Sequence, residues 1–153
     1  LLGCACKMGA IMADASADDA ESIYQYGVDL GLAFQLQDDL LDVYGDPEVF
    51  GKEIGGDIMC NKKTYMLINA FNRANAEQKK ELQKWCSGEK FDRKEKVAAV
   101  TRLYDEIGIR QLCEAKIEHY FAEGKKWLDQ VALPEERKVE LRAYTNQMMK
   151  REN

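Results

Sequence analysis

Residues 34–46, FQLQDDLLDVYGD, place Asp38, Asp39 and Asp42 in the last turns of an apolar segment with helical periodicity. The run that contains them, ESIYQYGVDLGLAFQLQDDLLDVY (21–44), has no proline over about six turns, and Gly45 followed by Pro47 supplies a stop. On a wheel at 100° per residue with Gly31 as origin, Gln35 falls at about +40°, Asp38 at about −20° and Asp42 at about +20°. Asp39 lies about 100° from Asp38, close enough to lean over the same spot, while Leu36, Leu40 and Leu41 point elsewhere. The acids are expected to converge. A helix C-terminus already carries roughly half a negative charge, so each acid there costs a few tenths to about 1 kcal/mol.

The next helical segment, KKTYMLINAFNRA (62–74), makes the opposite choice, with Lys62 and Lys63 at or near its N-terminus, where cations are disfavoured. Between the two helices lies a glycine-rich stretch to about Asn61, carrying Gly45, Gly51, Gly55 and Gly56 together with Lys52 and Asp57. It has no periodicity and reads as a structureless loop of roughly 15 residues, a length that is usually functional. A cation held against an anion between the two helix ends would remove both electrostatic penalties. Mg²⁺, which takes oxygen ligands and is commonly shared between one or two carboxylates and substrate phosphates, fits with a diphosphate.

Working outward, every other segment is helical. LLGCACKMGAIMADAS (1–16) begins already apolar with no capping residue ahead of it, which suggests a fragment. Its small residues, Gly3, Ala5, Gly9, Ala10 and Ala13, would let another helix approach closely, so it reads as an interior helix. Downstream come 76–87, 93–108, 109–132 and 134–152, the last opened by Pro134. Val97, Val100, Leu103, Tyr104 and Ile107, and then Leu112, Ile117, Phe121 and Leu128, form apolar stripes opposite charged faces. No strand-like alternation competes and no repeat is present, so the fold class is all-α, a helical bundle.

Composition bounds the partners. The chain has 153 residues, 46% hydrophobic and 32% charged, with two prolines, the profile of one ordered domain or less. A net charge of −5 with no basic stripe argues against nucleic acid. No apolar run reaches the roughly 20 residues needed to span a bilayer, and the start LLGCACKMGAIMADAS lacks the basic n-region of a signal peptide, which points to the cytoplasm and against stable membrane insertion. Five cysteines without a CxxC pair argue against a disulfide framework or a thiolate zinc site. The single histidine, His119, reads as a helix-surface or packing residue, and general acid–base chemistry in quantity is not expected.

GLAFQLQDDLLDVYGD, then GKEIGGDI, then NKKTY resemble the second aspartate-rich motif, the glycine-lysine loop and the following lysine of the isoprenyl diphosphate synthases, or polyprenyl synthetases. The family includes the farnesyl and geranylgeranyl diphosphate synthases. The small-residue helix at 1–16 and the C-terminal helices are similar too, though far less diagnostic. The resemblance implies the isoprenoid-synthase fold and a Mg²⁺-dependent condensation of an allylic diphosphate with isopentenyl diphosphate. It implies Asp38 as a direct magnesium ligand, Asp39 and Asp42 acting directly or through bound water, and Asp57 supporting the water shell. Lys52 and Lys62 would hold the allylic diphosphate, Phe34 and Gln35 would sit beside the isoprenoid near the reacting carbons, and Lys150 or Arg151 would belong to a basic tail. A full-length enzyme would be a homodimer.

The first aspartate-rich motif that the family sets opposite the second has no counterpart in residues 1–153; Asp18 and Asp19 lack its spacing. The chain therefore reads as the C-terminal half of a synthase domain, inactive in prenyl transfer alone. Two other readings remain open at this stage. One is another isoprenoid enzyme, a terpene cyclase or a squalene-synthase-like condensing enzyme; the other is a non-catalytic helical subunit.

Overall fold

The computed structural model describes residues 1–46 and 54–150. Among them are eight helices: α1 (Leu2–Met12), α2 (Ala17–Tyr44), α3 (Gly56–Met59), α4 (Tyr65–Arg73), α5 (Ala76–Trp85), α6 (Arg93–Ile107), α7 (Ile109–Gln130) and α8 (Glu135–Met149). No strand occurs among the described residues, in agreement with the all-α reading. The chain forms two compact units, one of residues 1–35 and 116–152 and the other centred on 36–115.

In the first unit, Tyr26, Leu30, Ala33, Phe121 and Leu128 are buried. The Tyr26 hydroxyl, sealed among apolar neighbours, donates to the Leu141 carbonyl at 3.0 Å and lies 2.8 Å from Thr145 Oγ1, tying α2 to α8. A buried hydroxyl without a partner would be costly, so this pair fixes the register of the two helices. The start of α2 is held by Ser16, whose Oγ accepts from the Asp19 N–H, while Asp19 Oδ1 accepts from the Ala132 N–H at 2.7 Å. A methyl group at Gly27 would stand 2.8 Å from Gly3 Cα, so these two glycines let α1 and α2 meet backbone to backbone.

The expectation that α1 is an interior helix is corrected. Gly3 is buried, but Ala5, Gly9 and Ala13 are exposed, and Met8, Ile11 and Met12 are exposed at 62%, 58% and 85%. Small residues permit close approach, yet the contacts of α1 with α2 run along one face, through Leu2, Gly3, Cys6 and Lys7. His119 is exposed on α7, with its ring 5.6 Å from that of Tyr120, as a surface residue should be.

In the second unit, α6 is the element against which α3, α4 and α5 all pack. Val100, Leu103 and Tyr104 of the expected stripe are buried, whereas Val97 and Ile107 are half-buried. Local capping fixes the boundaries. Thr64 accepts from the Leu67 N–H to start α4, Asn75 and Gln78 form a reciprocal capping box at α5, and Asp92 accepts from the Glu95 N–H at α6. Gly108, at φ +78°, ends α6. Two sequence expectations change. The helix anticipated from Lys62 starts at Tyr65, because Thr64 rather than a lysine supplies the cap. The stretch from Gly45 to Asn61 is not structureless throughout, since α3 forms within it.

Candidate functional site

The chain leaves α2 at Tyr44 and re-enters the described structure at Ile54, and α3 is then built against the end of α2. Asp42 makes this possible. Its Oδ2 accepts from the Asp57 N–H at 2.9 Å, and its backbone carbonyl accepts from the Gly55 N–H. Gly55 takes φ +80°, and a methyl there would stand 2.5 Å from Val97 Cγ2, so glycine is required where α3 sits on α6. The acid that is unfavourable at the C-terminus of α2 is thus favourable at the N-terminus of α3, whose N–H groups lack acceptors within their own helix. Burial nonetheless raises the Asp42 carboxyl above the usual carboxylate range, with the N–H bonds from Asp57 and Gly56 opposing that effect and the charge of Asp57 adding to it.

Lys62 closes the arrangement. Its Nζ donates to Asp57 Oδ2 at 2.7 Å and to Asp39 Oδ1 at 3.0 Å. Asp39 is buried at 6% exposure, while the Lys62 side chain is half exposed. The hydrogen bond that Lys62 donates to Asp57, reinforced by the one to Asp39, holds its ammonium well above the ordinary lysine range, so it stays charged. The electrostatic penalties expected at two facing helix ends are therefore partly removed within the chain, by a direct lysine–carboxylate contact.

The convergence of Asp38, Asp39 and Asp42 expected from the wheel takes a different form. Asp38 is half-buried on α2, Asp39 is turned inward to Lys62, and Asp42 is committed to α3. Among the described residues no group of three His, Cys, Asp or Glu side chains is gathered to enclose a metal ion. That donor chemistry suits a hard cation shared with phosphate oxygens and water, which needs only one or two protein carboxylates, and does not suit an all-protein cage.

Phe34 is half-buried and Gln35 exposed, both in the first unit. They line a hollow of about 490 Å³ with Leu2, Gly3, Gly27 and Gly31. Lys52 and Arg151 lie outside the described residues. Lys150 is exposed just past the end of α8.

Sequence reasoning missed Lys96. It stands on the apolar stripe of α6 at i, i+4 and i+7 with Val100 and Leu103, is 4% exposed, and donates to Asn61 Oδ1 at 2.7 Å and to the Met59 carbonyl at 3.3 Å. A lysine at a core position of a helical stripe was the available signal. Arg93, which donates to the Ile54 carbonyl at 2.8 Å, was also missed, and an exposed-looking charge run gives no sign of it.

No helix among the described residues is long and apolar enough to cross a membrane. Comparison with known proteins gives a consistent picture. The family model described as polyprenyl synthetase matches residues 1–105. A geranylgeranyl diphosphate synthase of Methanosarcina mazei is 35% identical over 84% of this chain and 38% of its own length. A crystal structure of a geranylgeranyl pyrophosphate synthase aligns with TM-score 0.88 and 37% identity over 99% of this chain and 47% of its own. A geranylgeranyl pyrophosphate synthase from Corynebacterium glutamicum, complexed with isoprenyl diphosphate and magnesium, aligns with TM-score 0.82 and 33% identity over 94% of this chain and 41% of its own. The chain spans less than half the length of these three proteins.

Proposed function

The chain belongs to the polyprenyl synthetase family, and from that premise we propose that it forms the part of a trans-prenyltransferase that receives the diphosphate leaving an allylic substrate. In the reaction proposed for the whole enzyme, the allylic C–O bond breaks and its electron pair departs with the diphosphate. The double bond of isopentenyl diphosphate attacks the resulting carbocation, and a proton is lost to give the lengthened allylic diphosphate.

The observation that carries this reading is the set formed by Lys62, Asp39 and Asp57, with Asp38 next to Asp39 on α2. Asp38 is the carboxylate we assign to Mg²⁺, while Asp39 and Asp42 support it by fixing Lys62 and α3. Bound Mg²⁺ would supply Lewis-acid neutralisation of the leaving diphosphate. Lys62 contributes a fixed positive charge toward the oxygens on which negative charge develops, and being held by two carboxylates it needs little reorganisation. Lys52 is assigned to the same anion. Phe34 and Gln35, which line a hollow in the first unit, are assigned to the prenyl chain. The full-length protein is proposed to be a cytoplasmic homodimer acting on allylic and isopentenyl diphosphates, and residues 1–153 to be its C-terminal half.

The test is to titrate the chain with geranyl diphosphate with and without Mg²⁺ and to assay prenyl transfer to isopentenyl diphosphate in the same samples. Magnesium-dependent binding without turnover is expected. Absence of binding would favour a non-catalytic helical subunit, and turnover at the rate of a full-length synthase would overturn the assignment as half an enzyme.

A further inference from the structure

The residues between α3 and α4 are set by a lysine that no substrate would touch. Asn61 adopts φ +52°, one of two non-glycine positive values among the described residues. That conformation lets the Asn61 N–H reach the Ile58 carbonyl and the Lys62 N–H reach the Asp57 carbonyl, so the chain doubles back over the end of α3. Asparagine tolerates the left-handed region because its short polar side chain can bond locally. Here the bond comes from elsewhere: Lys96 reaches from α6 to Asn61 Oδ1 at 2.7 Å and to the Met59 carbonyl, one of the acceptors left over at the end of α3.

Lys96 is buried at 4% exposure, and both of its hydrogen-bond partners are neutral oxygens. Burying an ammonium is expensive, and an apolar residue would fill the stripe between α3 and α6 without that cost. What an apolar residue could not do is grip the turn that carries Lys62. The Lys62 ammonium must meet Asp39 on α2 and Asp57 on α3 together, and its backbone follows Asn61 directly. A change in Asn61 would swing the Lys62 side chain away from one or both acids.

We propose that Lys96 is a positioning residue for Lys62: through Asn61 it fixes the turn after α3, and thereby where the Lys62 ammonium stands for a phosphate-bearing ligand. The inference rests on the site reading given above and extends it to a side chain that contacts neither metal nor phosphate. By analogy with residues that orient ligands in other sites, loss of the grip should weaken binding by roughly 10- to 100-fold.

The experiment compares wild type, Lys96→Met and Asn61→Gly for binding of inorganic diphosphate in the presence of Mg²⁺, by calorimetry, each alone and in a Lys62→Met background. Asn61→Gly keeps the left-handed turn accessible while removing the acceptor, so it remains informative if Lys96→Met does not fold. Asn61→Asp, which keeps an acceptor oxygen, should retain affinity. The proposal expects both disrupting variants to lose affinity, and the loss to vanish largely when Lys62 is already absent, since neighbours acting through one another are non-additive. Wild-type affinity in both variants, or an undiminished loss in the Lys62→Met background, would overturn it. Should the wild type bind no diphosphate, the site reading fails, and the positioning claim is decided by ¹⁵N NMR of the Lys62 ammonium. A signal moved by both variants supports it, and an unmoved signal refutes it.

Discussion

Lys62 Nζ stands 3.0 Å from Oδ1 of the buried Asp39, a side chain 23 residues earlier on α2. One partner is half exposed and the other nearly sealed, so the pair lies between a surface ion pair, worth little, and a buried one, costly to break. Lys62→Met should cost about 1 to 3 kcal/mol in urea unfolding. The folded-state pKa of Lys62 is raised above its ordinary 10.5, so this contribution is fully present below pH 10.5 and is lost as the pH climbs further. A wild-type stability that does not fall above that pH relative to Lys62→Met would count against the pair.

Asp42 is expected to act on α3 rather than on the whole fold. Asp42→Ala removes the acceptor of the Asp57 N–H and should cost about 1 to 3 kcal/mol. Burial holds the Asp42 carboxyl above its ordinary 3.8, so the stability linked to its protonation is present below pH 3.8 and lost as the pH rises through the folded value. Asp42→Asn keeps an acceptor oxygen without the charge and should therefore cost less than the alanine variant. Hydrogen exchange at Asp57 N–H, faster in Asp42→Ala than in Asp42→Asn, is the measurement that separates them.

Two glycines of the N-terminal region should respond in opposite directions. Gly27→Ala forces a methyl to 2.8 Å from Gly3 Cα, and overpacking at backbone should destabilise by about 1 to 3 kcal/mol. Gly9 has nothing within 4 Å of an added methyl, so Gly9→Ala should stabilise by about 0.5 to 1 kcal/mol through helix propensity. Thermal unfolding of the two variants checks both signs at once.

Cysteine reactivity should divide by burial. Burial pushes the Cys113 thiol up to about 12, and its Sγ lies 3.8 Å from the Leu36 carbonyl. Cys4 and Cys60 are exposed. Iodoacetamide at pH 8 should label Cys4 and Cys60 in the native protein and leave Cys113 unmodified, read by peptide mass spectrometry. The contribution of Cys113 to stability is fully present below its ordinary value of 9.0 and is lost as the pH rises toward 12. Rapid native labelling of Cys113 would contradict its placement.

Much of the fold is legible in sequence because helices carry local signals. Asn75 and Asp92 mark helix starts with side-chain caps, Gly108 marks an end with a left-handed turn, and Pro134 stands just ahead of α8. Lys62 and Asp39 were identifiable as candidates, but their direct contact was not, since it depends on a turn at Asn61 that no periodicity encodes. The same holds for α3, four residues long and stabilised by Asp42 and by packing on α6 rather than by its own propensity. Lys96 was hidden for the converse reason: a charged residue reads as surface until its partners are seen. The exposure of α1 was missed because small residues specify what could approach, not what does.

Asp38 and the Lys62 cluster are proposed to form one side of a magnesium–diphosphate site, and calorimetric titration of inorganic diphosphate into wild type and Asp38→Ala, with and without Mg²⁺, decides whether they do. Saturable binding by the wild type is expected only when Mg²⁺ is present, with its loss in Asp38→Ala while the helical circular dichroism stays unchanged. Binding that is independent of Mg²⁺, or equal in wild type and Asp38→Ala, would contradict it.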